Sequence, residues 1–209
     1  MNKKALKIMN NILMIVFIIF SVMLAVYYSV HFNAYYLFLS VASFVIPFIP
    51  NVIYRVFRLT PAYTLTMAAR VFIFLAFHIG MACKGYVLIP FYDKIVHTFS
   101  GVIFSVLGII IFYALKHGHT IDKKDSWLCT VFSFSFSMMI AAVWEIYEYI
   151  IGFVLKTDPQ CVAATGVGDT MSDIIACLVG TAVLCLLIIY RFKTEKSGAL
   201  LTAVSELYK

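Results

Sequence analysis

Six stretches of about 20 largely apolar residues run through this chain, at roughly 8–29, 34–54, 62–83, 94–115, 126–154 and 170–191, and that length is what a helix needs to cross the hydrocarbon of a bilayer. The only other backbone that can span it is a closed barrel, and these runs are too long and too continuous for barrel strands. The expected fold is therefore all-α: a polytopic integral membrane bundle of about six transmembrane helices. Composition agrees, since 63% of the 209 residues are hydrophobic and 12% charged, against about half and about a quarter in a soluble domain. No polar stretch is long enough for a second domain. The expectation is one transmembrane helical domain over 1–197 and a short, frayed or interfacial cytoplasmic tail over 198–209.

Charge placement sets the orientation, because short cytoplasmic loops retain Lys and Arg. Lys3, Lys4 and Lys7 precede the first run, Arg55 and Arg58 follow the second, Lys116, Lys123 and Lys124 follow the fourth, and Arg191, Lys193 and Lys196 follow the sixth. The alternate connections are poorer: His31 and Asn33, then Lys84 and Lys94, then Lys156. Both sets predict N-in and C-in. The net charge of +6 is thus accounted for by topology, and no nucleic-acid partner is expected. Lys3 to Lys7 before an apolar run imitate a signal peptide, but no small-residue cleavage site follows, so the run is read as a retained helix.

The five cysteines form no CxxC pair, which argues against a redox or zinc motif. Cys83 and Cys161 fall on the outer side in this topology, where a disulfide between them is one option and free thiols the default. Pro47 and Pro50 are expected to interrupt the second helix. Gly101, Gly108, Gly152 and Gly180 read as close helix contacts.

The acidic residues carry the functional signal. Asp93 and His97 open the fourth helix, Glu145 and Glu148 lie on the outward half of the fifth, and Asp169 and Asp173 open the sixth. Members of each pair are three or four residues apart and share a helix face, and the topology brings all three pairs to the outer membrane boundary. Ionisable groups cost at least about 2.5 kcal/mol near a helix centre in a bilayer, so five carboxylates need a bound cation, shared protons or a basic partner, with Lys94 able to offset one. Carboxylates with one imidazole suit a divalent metal: Mg, Mn, Ca, Fe or Zn. Helical bundles build di-metal sites from Glu and His at such spacings. Asp93, His97, Glu145, Glu148 and Asp173 are the candidate ligands, and His97, Glu148 and Asp169 the candidates for moving a proton. Asp93 and Asp169 at helix starts are also explained as caps.

Arg70 is the other intramembrane charge and requires an anionic partner, either an acid of the cluster or a lipid phosphate. His78 lies two turns further outward. Both are candidate substrate-binding residues, with a structural pairing the competing reading. His117 and His119 are expected to be solvated in a cytoplasmic loop, and Trp127 and Trp144 to belong to interfacial belts.

The strings YDKIVHTFSG (Tyr92 to Gly101), WEIYEYIIG (Trp144 to Gly152) and GVGDTMSDIIACLVGTAV (Gly166 to Val183) resemble YjdF-type bacterial membrane proteins and, more widely, the VanZ-like group. The resemblance implies a bacterial plasma-membrane location and places Asp93, His97, Glu145, Glu148, Asp169 and Asp173 in one site. A VanZ-like chain carries Glu, then Gln, then Arg where this one has Glu145 and Glu148 and no Arg before Asp169, which favours the YjdF-type branch.

Three functions fit these residues. The leading one is an outward-facing divalent-metal site acting on or recognising a lipid or cell-envelope headgroup, as a metal-dependent hydrolase or transferase would. The second is a cation or proton transporter or channel, and the third a non-catalytic membrane partner. The chain holds no Walker, GxSxG or HExxH motif to support other chemistry.

Overall fold

The structure is a computed structural model that describes residues 3–116, 121–194 and 199–208; His117, His119, Glu195 and Lys196 lie outside them. Among the described residues all regular structure is helical. Six helical stretches are long and apolar enough to cross a membrane: Lys3–Val30, Ala34–Val56, Tyr63–Ala82, Tyr92–Leu115, Lys123–Leu155 and Gly168–Thr194. These are the six runs expected from hydropathy. The chain falls into two compact units, residues 1–92 with 202–209 and residues 93–201, and each is described in turn.

In the first unit, helix α1 (Lys3–Val30) packs along α2 (Ala34–Val45) and touches α4 (Tyr63–Ile73). The second span is interrupted as the prolines require: a 3-10 turn, Ile46–Phe48, separates α2 from α3 (Ile49–Val56). Pro47 and Pro50 have no N–H to give, and the Ile49 N–H takes the Ile46 carbonyl instead. Beyond α4 the chain widens into a π-helical segment, Phe74–Ala82, followed by the single turn α5 (Gly85–Leu88). The Tyr86 ring lies over Gly80, where a Cβ would come within 2.5 Å of it.

The polar core of this unit centres on Arg70, which is 4% exposed. Its guanidinium donates to Asn10 O and Oδ1, both at 3.1 Å, to Asn51 Oδ1 at 2.6 Å and to Pro47 O at 3.4 Å. An anionic partner was expected; four neutral oxygens are found, one of them on the proline that breaks the second span. Asn10 is anchored in turn through Nδ2 to Leu6 O and Tyr63 O. Asn10→Ala is expected to cost about 2 kcal/mol, because a buried charged donor loses an acceptor; a chemical melt of the purified protein checks this, and an unchanged midpoint would contradict it.

The C-terminal segment, expected as a short frayed or interfacial tail, is helical and docked where it is described. Ala199–Glu206 forms helix α10, Ala203, Val204 and Leu207 are buried, and the Thr60 N–H bonds Leu207 O. Three apolar side chains at helical spacing explain why it docks rather than frays.

The second unit holds α6 (Tyr92–Leu115), α7 (Ser126–Leu155), the single turn α8 (Val162–Thr165) and α9 (Gly168–Thr194). Small residues let these spans approach closely, as membrane helices do. A Cβ on Gly180 would stand 1.9 Å from Thr98 O, and one on Gly101 2.2 Å from Cys177 O, so α6 and α9 cross with main chains nearly touching. Gly108 abuts Ser133 of α7 in the same way. Hydroxyls tie the three spans: Ser133 Oγ donates to Ser105 O, and Ser137 Oγ bonds both Gly101 O and Thr181 Oγ1. Outside the site, Asp122 and Asp125 make a capping box before α7, and Lys116 pairs with both.

Candidate functional site

The first turn of α6 presents Asp93 and Lys94, and the next turn His97. The start of α9 presents Asp169 and, one turn on, Asp173. The α6–α9 crossing at Gly101 and Gly180 brings these two helix starts together. Lys94 Nζ then donates to Asp169 Oδ1 at 2.6 Å, Asp173 Oδ1 at 2.7 Å and Asp93 Oδ2 at 3.0 Å. One ammonium thus joins three carboxylates, using all three of its N–H donors. Sequence reasoning gave Lys94 one acid to offset; its position beside Asp93 was the signal for more.

His97 Nε2 lies 3.5 Å from Asp93 Oδ1 and 3.7 Å from Asp173 Oδ1. One ligand atom each from Asp93, His97 and Asp173 fits within a mutual separation of 4.8 Å. A four-coordinate metal with bonds of about 2.0–2.2 Å holds neighbouring ligands about 3.5 Å apart, so small side-chain rotations would let the trio close on one ion. The side chain of Asp173 is 2% exposed, that of His97 12% and that of Asp93 32%, which makes a shell buried on one side and open on the other.

The glutamates take other partners. Glu145 is buried at 6% exposure, and Gln160 Nε2 donates to both its main-chain oxygen, at 3.0 Å, and its Oε2, at 3.1 Å. Glu148 accepts from Trp144 Nε1 at 2.9 Å. Neither belongs to the metal-competent trio, although both interact electrostatically with the Asp93–His97 pair or with His97 alone. Asp169 is held by Lys94, and its own N–H bonds Thr165 Oγ1. Gln160 went unnoticed in the sequence, because a neutral loop residue carries no charge or hydropathy signal. It sits in the 156–167 connection, where Asp158 caps α8 by accepting from Val162 and Ala163 N–H.

Arg70 and His78 are both buried in the first unit. Arg70 has the four neutral partners above. His78 Nε2 hydrogen-bonds Ser21 Oγ at 2.9 Å, and its ring stands among Phe17, Phe20 and Phe74. All five cysteines are free. Partial burial and then the carboxylates of Asp169 and Asp158 push the Cys161 thiol above its ordinary value, so it stays protonated and adds no negative charge beside the acids.

A profile of the family described as predicted membrane protein (DUF2238) matches residues 10–195. No curated protein and no solved structure matches the chain. With six membrane-length helices and a profile match running from the first span to the end of the sixth, the chain is a membrane protein and belongs to the DUF2238 family.

Proposed function

We propose that Asp93, His97 and Asp173 bind one divalent cation on the outer face of a bacterial plasma membrane, and that this centre acts on or recognises a lipid or cell-envelope headgroup. The observation that carries the reading is the convergence of these three ligands, from two helix starts, within 4.8 Å. The positive-inside pattern supports the outward orientation, and the likeness to YjdF-type proteins supports a single site and the bacterial location. Two carboxylates and an imidazole favour zinc, manganese or iron over the all-oxygen ions.

In this reading Lys94 holds Asp93 and Asp173 close until metal arrives, then keeps Asp169. A bound cation would polarise a phosphoryl or carbonyl oxygen, or lower the pKa of a bound water. Asp169 or Glu148 would take the proton, and a hydrolase or transferase results. A second reading rests on Lys94 itself: an ammonium bonded to three aspartates, with His97 beside two of them, offsets part of their charge without metal, which suits a proton or cation pathway better than a Lewis-acid centre.

Metal content separates the two. The full chain, purified without chelator and analysed by mass spectrometry, is expected to carry about one equivalent of a divalent metal, lost in Asp93→Asn and in Asp173→Asn but kept in Glu148→Gln. Absence of metal after loading with zinc, manganese and iron would discard the metal centre and leave the Lys94 network as the functional unit.

A further inference from the structure

No Asp or Glu stands before Asp93, whereas Lys3, Lys4, Lys7, Arg55, Arg58, Arg70 and Lys84 all do. Glu206, at the end of α10, is the one acidic residue of the first unit. We propose that the inner end of this unit binds the phosphate of an anionic phospholipid, with Lys7 and Arg55 as the residues that hold it. The proposal does not depend on the metal centre.

Retention of positive charge in cytoplasmic segments explains where these cations lie. It does not explain the missing acids, because Asp and Glu weigh little in setting orientation. The second unit shows the alternative: its inner Lys116 is paired with Asp122 and Asp125. Among the described residues neither Lys7 nor Arg55 has an ion pair, and both are exposed. Their counter-ion comes from outside the chain.

Register puts the two together. Asn10 of α1 and Asn51 of α3 both accept from the Arg70 guanidinium, at 3.1 and 2.6 Å, so the two helices stand side by side at this level. Lys7 precedes Asn10 by three residues and Arg55 follows Asn51 by four, which places each about 5 Å, one turn, from its asparagine and on the same helix face. The helices run in opposite directions, so both turns lead toward the inner end. Asn10 also fixes the depth, since its Nδ2 bonds the carbonyl of Tyr63, the first residue of α4. The Arg70 side chain thus reaches back to the inner start of its own helix. Lys7 and Arg55 lie beyond that level, where the chain turns between Val56 and Tyr63.

The neighbouring surface decides between a free anion and a lipid. Ile8, Val52, Val56 and Phe57, beside the two cations in the sequence, are large, apolar and exposed. A phosphate that carries acyl chains lies against them while its charge meets Lys7 and Arg55, whereas a free phosphate covers none of them. A zwitterionic headgroup brings its own cation to the same place and gains less.

Native mass spectrometry of the full chain, exchanged with phosphatidylglycerol or phosphatidylcholine of identical acyl chains, tests this. Phosphatidylglycerol should be retained about thirtyfold better, from about fivefold for each cation beside an anionic lipid. Lys7→Gln and Arg55→Gln should each cut the preference about fivefold, and the double variant should abolish it. Both side chains are exposed, so all three variants should melt like the parent in phosphatidylcholine; should the double variant fail to fold, the single variants decide. Lys123→Gln with Lys124→Gln removes the same charge from another inner connection and should leave the preference unchanged. Equal retention of the two lipids, a preference unchanged in the Lys7 and Arg55 variants, or an equal loss in both double variants would overturn the proposal, the last by showing diffuse attraction to cytoplasmic charge. A preference that disappears when exchange is run in inorganic phosphate at constant ionic strength assigns the site to a soluble anion and likewise overturns it.

Discussion

Lys94→Met should destabilise the protein by about 2–3 kcal/mol, the loss of charge-assisted hydrogen bonds and less than for a fully buried ion pair, since the Lys94 side chain is 27% exposed. The reason lies in the three carboxylates that share this one ammonium at 2.6–3.0 Å, one of them 2% exposed. Without it, Asp169 and Asp173 stand one turn apart on the same face of α9 and Asp93 faces both from α6, with like charges and only His97, 3.5 Å from Asp93 and 3.7 Å from Asp173, to offset them. Asp173→Asn in the same background should recover part of the loss, since the most deeply buried of the three charges is then gone, and the two changes will not add. Denaturant melts of the single and double variants measure the coupling. If the metal proposal holds, saturating zinc or manganese restores the melting temperature of Lys94→Met more than that of the parent, because the cation replaces the lost ammonium among the same oxygens. Additive losses in the cycle would show that Lys94 and Asp173 do not support each other.

Gly180→Ala should cost about 3 kcal/mol or more, at the upper end for overpacking a close contact. Its new Cβ would stand 1.9 Å from Thr98 O, and a main-chain carbonyl cannot rotate away as a side chain can. Gly101→Ala meets Cys177 O at 2.2 Å from the other side of the same crossing and should behave alike. Gly168→Ala is the control: its Cβ would find only Thr165 Cβ, at 3.6 Å, so stability should hold or rise slightly. Forcing α6 and α9 apart also separates Asp93 and His97 from Asp169 and Asp173. Metal binding and thermal stability should therefore fall together in Gly180→Ala, whereas Asp93→Asn should lose metal with the smaller stability change. A Gly180→Ala protein as stable as the parent would mean that the two spans do not cross this closely.

The spans were legible because hydropathy over 20 residues is a property of the segment alone. The pairing of Asp93 with His97, and of Asp169 with Asp173, was legible for a similar reason: four-residue spacing on a helix puts two side chains on one face. Which pairs meet is another matter, and it depends on where helices cross. Gly101 and Gly180 set that crossing, and their glycine character was visible while their partnership was not. Glu145 and Glu148 show the limit most clearly. Their spacing suggested a shared site, yet Gln160 reaches back from a loop to hold one, and Trp144, four residues earlier, holds the other. Arg70 misled in the opposite direction: its charge argued for an anion, but a guanidinium can be satisfied by enough well-placed neutral oxygens, and Asn10, Asn51 and Pro47 supply four.

The Arg70 contacts also bear on how the chain enters the membrane. An arginine near the middle of a span carries an insertion penalty of about 2.5–3.5 kcal/mol, and a helix bearing one is a poor candidate to partition by itself. Its acceptors belong to residues 10, 47 and 51, all translated earlier. When the third span leaves the ribosome, the first two can already be in the bilayer with their oxygens turned inward. The order of synthesis therefore delivers the charge last, to a socket prepared by the two helices ahead of it.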